Sequence, residues 1–327
     1  MGTRRGMLTG MVLAATLSLV GGAGSAIAQD KLDLATIVVG FPPGGGTDTT
    51  ARIVAEKLSG TYADSVIVEN RPGAGGRIAA AYVKDCPTDG SCMLFTPAFP
   101  LIIHPHLYAD MPFDTLNDFV PVATTHFGVL ALSVGPGAPE SIKTLEDFLN
   151  WAKENPDQAS FGGPVGGSQH FTGILLSNAS GVDLELIGYP GGAPSVTDAL
   201  GGHIPAVITP MAEVLPHAAE GTLRILAATS KERSKLAPDI PTFTELGYDI
   251  VVQDWSGFLM PAGTPAEVVE RANAAISSVV ETQDVIDRMG ELGMEAQPTS
   301  VADFAKVLPE SYAKYGKIIE DNNIEVQ

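Results

Sequence analysis

Phe41-Pro42-Pro43-Gly44-Gly45-Gly46-Thr47-Asp48 is the stretch from which this 327-residue chain is best read. An apolar run, Ile37 to Gly40, precedes it. Ala51, Val54, Ala55 and Leu58 follow at i, i+3, i+4 and i+7, the spacing of one helix face. The stretch is therefore a strand-to-helix turn. Consecutive glycines let the backbone turn with no Cβ in the way, and Thr47 or Asp48 is placed to cap the helix. Free N–H groups at a helix start, with the positive end of the helix dipole behind them, form a site for a carboxylate or phosphate. A tight turn with no ligand is the alternative. No Gly-Lys-Ser/Thr follows the glycines, and there is no Gly-x-Gly-x-x-Gly with an acid about 20 residues on, so a nucleotide is not the natural ligand.

The N-terminus carries Arg4 and Arg5, an apolar segment from Met7 to Val20, and Ala26-Ile27-Ala28, the pattern of a secretory signal cleaved before Gln29. The paired arginines also fit a twin-arginine signal loosely. Residues 1–28 hold two of the 19 basic residues and none of the 38 acidic ones, so removing them leaves 17 against 38, a net charge of −21. Such a chain repels nucleic acid and anionic membranes. An anionic ligand would have to be held by local dipoles against that field. Nothing after Gln29 is long and apolar enough to span a bilayer. Cys86 and Cys92, the two cysteines, flank Pro87-Thr88-Asp89-Gly90-Ser91 and read, in an exported protein, as a local disulfide.

Strand, glycine turn and helix recur along the chain. Val66 to Val68 reads as a strand before the turn Glu69 to Gly76 and a helix Ile78 to Val83; Met93 to Thr96 is a strand leading into a loop Pro97 to Pro100. Val129 to Val134 is a strand, and Thr144 with Asp147 fits a capping box for a helix through Glu154. Phe161 to Ser168 repeats the opening device: a strand, a glycine turn, Ser168 as hydroxyl cap, and a helix with Phe171, Ile174 and Leu175 on one face, ended by Gly181. A third copy follows, with strand Leu184 to Tyr189, turn Pro190 to Pro194 and helix Ser195 to Leu200. Ala206 to Ile208, Leu223 to Thr229 and Val251 to Pro261 read as further extended runs. Thr264-Pro265-Ala266-Glu267 reads as a capping box opening a helical C-terminal part, about 266–281, 284–292 and 301–321. The repeats have no fixed period, so this is an α/β fold and not a solenoid.

Catalytic patterns are weak. Gly166-Gly167-Ser168-Gln169-His170 has His where a nucleophile elbow needs Gly, and no His pair has zinc spacing. Ligands of open α/β sheets sit beyond the C-terminal strand ends and between domains, which fits a two-part receptor without a catalyst.

Val39 to Asp48, Val68 to Gly76, Pro112-Phe113-Asp114, Leu215-Pro216-His217, Leu236 to Thr242 and Pro261-Ala262-Gly263-Thr264-Pro265 resemble the periplasmic solute receptors of tripartite tricarboxylate transporters, the Bug family. The likeness runs in order along essentially the whole chain after the signal. It implies a two-lobed periplasmic binding protein of type II-like fold, each lobe a mainly parallel sheet flanked by helices. Residues 29–127 and 254–327 would form one lobe and 128–253 the other, with crossovers near His126 to Val129 and Val252 to Ser256. It also implies that backbone groups and ordered water at two loops hold a ligand carboxylate. Those loops map onto Phe41, Pro43, Gly44, Gly45, Gly46, Thr47 and Asp48, and onto Gly163, Val165, Gly166, Gly167, Ser168 and Gln169. Variable pocket walls map onto Thr96, Pro97, Ala98 and Phe99, onto Tyr189, Gly192 and Ala193, and onto Thr209, Pro210 and Trp255.

Three departures bear on the ligand. The second loop is one residue shorter than is usual, Thr209-Pro210 stands where many members have Asp-Asn, and Pro97, Phe99 and Pro100 make one wall more apolar. A mono- or dicarboxylate with an apolar or aromatic body is expected, with no cofactor, no metal and no enzymatic activity. The expected partners are membrane permease subunits, with a monomer in the periplasm. A sensory protein with the same lobes, signalling to a membrane kinase or regulator, is the alternative, and an exported hydrolase a more distant one.

Overall fold

The computed structural model describes residues 1–2, 31–322 and 324. The expected export signal and its cleavage site, apart from Met1 and Gly2, lie outside the described residues.

Residues Ile37, Val38 and Val39 are wholly buried at the end of β1 (Leu32–Val39), as a central parallel strand covered on both faces requires. Strand and helix then alternate through α1 (Gly46–Leu58), β2 (Ala63–Asn70), α2 (Arg77–Val83), β3 (Cys92–Pro97) and two single-turn helices, α3 (Phe99–Ile102) and α4 (His104–Leu107). The long β4 (Phe119–Val134) is followed by α5 (Leu145–Glu154), β5 (Ser160–Gly163), α6 (Ser168–Ser180), β6 (Glu185–Gly188), α7 (Gly192–Leu200), β7 (Ala206–Pro210), α8 (Met211–Ala219) and β8 (Arg224–Ala228). The chain returns through β9 (Gln253–Pro261) and ends in α9 (Ala266–Val280), α10 (Gln283–Glu291) and α11 (Val301–Asp321).

One strand belongs to two sheets. The first sheet has the order β2-β1-β3-β9-β4, with β1, β2 and β3 parallel and β9 antiparallel to both its neighbours. Beyond Val129 the same β4 pairs antiparallel with β7 and β8, and β5 joins β7 to β6 in parallel. The segments where crossovers were expected face each other in register, Phe127 with Trp255, Gly128 with Asp254 and Val129 with Gln253. Two chain passages are thereby tied edge to edge. Residues of α1, α9 and α10 cover one face of the first sheet, with Val54, Leu58, Val269, Ile276 and Val285 in one cluster. A second cluster runs without a break from Val38 and Leu94 through Trp255, Phe304 and Leu308 to Phe161 and Phe171, and a third packs α7 and α8 on the second sheet.

Three local expectations need correction. β4 begins at Phe119, ten residues before the expected Val129. Its first half contains Thr124, Thr125 and His126, which are buried because side-chain hydrogen bonds satisfy them; the Thr124 hydroxyl, for example, donates to the Gln297 carbonyl at 2.8 Å. The stretch Pro97 to Pro100 is not a simple loop, since α3 begins at Phe99 with Pro100 in its first turn, where proline costs no hydrogen bond. Thr264 does not cap α9: its hydroxyl donates to the Pro261 carbonyl at 2.8 Å and Pro265 takes the cap position. The Thr144–Asp147 capping box is present on α5.

A disulfide joins Cys86, just after α2, to Cys92, the first residue of β3, with Cα atoms 6.2 Å apart. Closing so short a loop removes little unfolded-state entropy, worth about 2 kcal/mol at most. The double variant Cys86→Ser/Cys92→Ser should therefore fold, with urea unfolding showing a loss of about 2 kcal/mol or less. A thiol reagent should leave the native parent unlabelled.

Candidate ligand-binding site

Two βα turns are built alike. At the start of α1, Gly44 has φ +86°, Gly45 is extended with φ −76°, and the helix begins at Gly46. At the start of α6, Gly166 has φ +71°, Gly167 is extended with φ −90°, and the helix begins at Ser168. The left-handed positions are where glycine is required. A side chain four residues on reaches back in each case: Gly44 N–H donates to Asp48 Oδ2 at 2.8 Å, and Gly166 N–H donates to His170 Nδ1 at 3.3 Å. This corrects the capping expectation. Gly45 and Gly167 are the N-caps and make no side-chain cap bond, so Thr47, Asp48 and Ser168 lie inside the first helical turn.

Asp48 is buried, and burial alone would raise its pKa. Hydrogen bonds from Arg52 Nε at 2.9 Å, from the Gly44 amide and from Asn70 Nδ2 at 2.8 Å, with the Arg52 charge, more than offset that and hold it at about 2. Its charge is neutralised behind the turn.

These turns meet others at a cavity of about 460 Å3. Among the expected residues, Phe41, Thr47, Pro97, Phe99, Val165, Gly166, Gly167, Ser168, Gln169, Gly192 and Pro210 line it. Pro43, Gly44, Gly45, Gly46, Asp48, Gly163, Tyr189 and Ala193 belong to the same turns but lie off its wall. Thr96 in β3, Ala98 at the start of α3 and Thr209 in β7 are buried and not part of the wall. Trp255 is fully buried with its ring edge-on to Phe304, centroids 4.8 Å apart, and so faces the core. Phe99 stands edge-on to Phe41 at 5.8 Å and to His104 at 5.2 Å, giving one end of the cavity an aromatic wall.

The wall carries no lysine or arginine, and its one acidic side chain is Asp254. Asp254, at the start of β9, accepts a hydrogen bond from the Ser168 hydroxyl through Oδ2 and one from the Tyr315 hydroxyl at 2.8 Å through Oδ1. Protein atoms crowd its carboxyl, and this desolvation pushes its pKa up despite the two hydroxyls. His104 and His126 also line the cavity; burial lowers each to about 4, so both are neutral at physiological pH. Asp254, both histidines, Met211 and Met294 escaped sequence reasoning. None lies in a strand–glycine turn–helix unit, and only the pairing of β4 with β9 brings Asp254 and His126 to the cavity.

A cavity of this size, fed by backbone donors at the C-terminal ends of parallel strands, suits a small anionic molecule. Residues 50–324 match the family described as the tripartite tricarboxylate transporter family receptor, TctC. The chain belongs to that family. It is 33% identical over 260 residues to BugT of Bordetella pertussis, covering 79% of this chain and 79% of the relative. A Rhodopseudomonas palustris protein solved with adipate is 27% identical, with a TM-score of 0.77 over 89% of this chain and 98% of that one. MatC of the same organism, solved with bound malate, is 25% identical, with a TM-score of 0.72 over 88% and 98%. The family is one of periplasmic binding proteins, not of enzymes.

The depressed pKa of Asp48 has a thermodynamic consequence. Its folded-state value lies below the ordinary 3.8, so its stabilisation is complete above about pH 4 and is lost as pH falls toward 2. Replacing Asp48 by Ala should cost about 2 kcal/mol at pH 7. The gap between variant and parent in urea unfolding should shrink steadily below pH 4.

Proposed function

We propose that this family member captures a small organic carboxylate between two lobes and delivers it to the membrane subunits of a tripartite transporter. The lobes would be residues 29–127 with 254–327, and 128–253, hinged where β4 and β9 pair. The observation that carries the reading is the convergence of two glycine-turn helix starts on a cavity without basic side chains. Backbone amides at the two helix starts are the proposed donors for a carboxylate, beside the Thr47, Ser168 and Gln169 side chains on the wall. The adipate and malate held by relatives support the ligand class.

The aromatic wall of Phe41, Phe99 and His104 favours an apolar or aromatic body on the ligand. Lobe closure would bury it and form the surface a permease recognises.

A thermal-shift panel of adipate, malate, citrate, aspartate, benzoate and phenylacetate tests this on protein unfolded and refolded to remove carried-over ligand. At a concentration one hundred times its Kd, a ligand adds about 2.7 kcal/mol to folded-state stability. The expected result is the largest shift with adipate or an aromatic acid. Citrate or aspartate binding far tighter would overturn the apolar-body reading, and no shift with any acid would overturn the carboxylate reading.

A further inference from the structure

The cavity poses an electrostatic problem. Asp254 is bonded to Ser168, the first residue of α6, so an internal carboxyl already stands at the helix start where a ligand carboxylate would dock. No lysine or arginine lines the wall to offset two adjacent negative charges. Like charges held a few ångströms apart away from water cannot both stay ionised; one takes a proton.

The hydrogen-bond network is built to accept that proton. Both partners of Asp254 are hydroxyls, and a hydroxyl can donate or accept. With Asp254 ionised, Ser168 O–H and Tyr315 O–H both point at the carboxylate. With Asp254 protonated, its own O–H can donate to Ser168 Oγ, which frees the Ser168 proton to turn into the cavity. No side chain has to move.

We propose that Asp254 and Ser168 form a proton-linked carboxylate trap: the ligand binds with uptake of one proton on Asp254, and Ser168 then donates its hydroxyl hydrogen to the bound carboxylate beside the α6 amides. This rests on the carboxylate reading above. The proton comes from solvent and stays on Asp254; no bond other than hydrogen bonds is made or broken.

The hydroxyl and imidazole groups around Asp254 leave it as the titrating member beside Ser168; Glu213 of α8, packed against Gly192 with its pKa raised by burial, is the other acid near the wall, and Asp254→Asn tells the two apart. From α11, Tyr315 is buried and its pKa is raised well above the ordinary phenol value, first by burial and then by Asp254. Lys314, on the same helix, donates to the Val251 carbonyl and is not part of the ligand wall; its charge pulls the pKa of Asp254 down, but by less than burial raises it. From α6, His170 has its Nδ1 engaged by Gly166 N–H, and burial lowers its pKa. From β4, His126 is neutral, with Nδ1 against the Thr125 hydroxyl at 2.9 Å, and His104 of α4 is neutral across the cavity. Burial raises Asp254 itself, in the direction that proton uptake requires.

Linkage fixes the sign. Affinity should be highest at low pH and fall about tenfold per pH unit between the pKa of Asp254 in the free and in the bound protein. The test is calorimetry with whichever panel acid gives the largest thermal shift, in two buffers of different ionisation enthalpy. The parent should take up about one proton per ligand in that pH range. Asp254→Asn, which keeps the size and donates an amide hydrogen to Ser168, should bind the same acid with no proton uptake and with a flat pH profile. Parent binding with no net proton exchange and pH-independent affinity would overturn the trap and leave the carboxylate reading standing. Unchanged uptake in Asp254→Asn would also overturn it, assigning the proton elsewhere. If no acid in the panel binds, the carboxylate reading fails and the trap with it.

Discussion

The cavity wall carries no lysine or arginine, in a chain whose formal charge is −19. The proposed carboxylate ligand would have to be held under that constraint. Its attraction would come from oriented N–H groups and hydroxyls, which asks that the turns presenting them be free of bulky side chains and rigid. Glycines at positive φ, at Gly44 and Gly166, shape the turns, and a side chain four residues on holds each one by its amide. Internal carboxylates near the site are managed separately. Asp48 is neutralised by Arg52 within α1, and Asp254 is set among hydroxyls that tolerate its protonation.

The second requirement is that two helix starts more than a hundred residues apart in sequence face one cavity. β4 meets it by belonging to both sheets, and β9 by pairing with β4 along the passage between them. The cluster under α1, α9 and α10 and the one under α7 and α8 are separate, whereas another runs continuously from the first sheet through Trp255 and Phe304 to Phe161 and Phe171 on the second.

The α/β rhythm and the two glycine turns were legible in the sequence, because Gly44 to Gly46 and Gly166-Gly167 stand between an apolar run and a helical period. The aromatic wall was half legible. Phe99 announced itself beside Pro97 and Pro100, whereas His104 required the unforeseen single-turn helices α3 and α4. Asp254 could not be picked out among 38 acidic residues, since nothing local marks it. Its place depends on register with Gly128, a contact 126 positions away. Trp255 shows the same limit from the other side: a strand's alternation sends it into the core against Phe304 while its neighbour Asp254 faces the ligand wall. First-turn polar residues were also misassigned as caps, because a glycine N-cap leaves no side-chain signature.

The central claim is that backbone amides at two helix starts hold the carboxylate. Amide proton chemical shifts in a titration of 15N-labelled protein with the tightest-binding acid measure it directly. The largest downfield shifts should fall on Gly45, Gly46 and Thr47 together with Ser168 and Gln169, the Gly167 amide being held by the Pro164 carbonyl at 3.3 Å. Shifts concentrated elsewhere, such as in the basic segment Lys231 to Lys235, with these five amides unmoved, would contradict it.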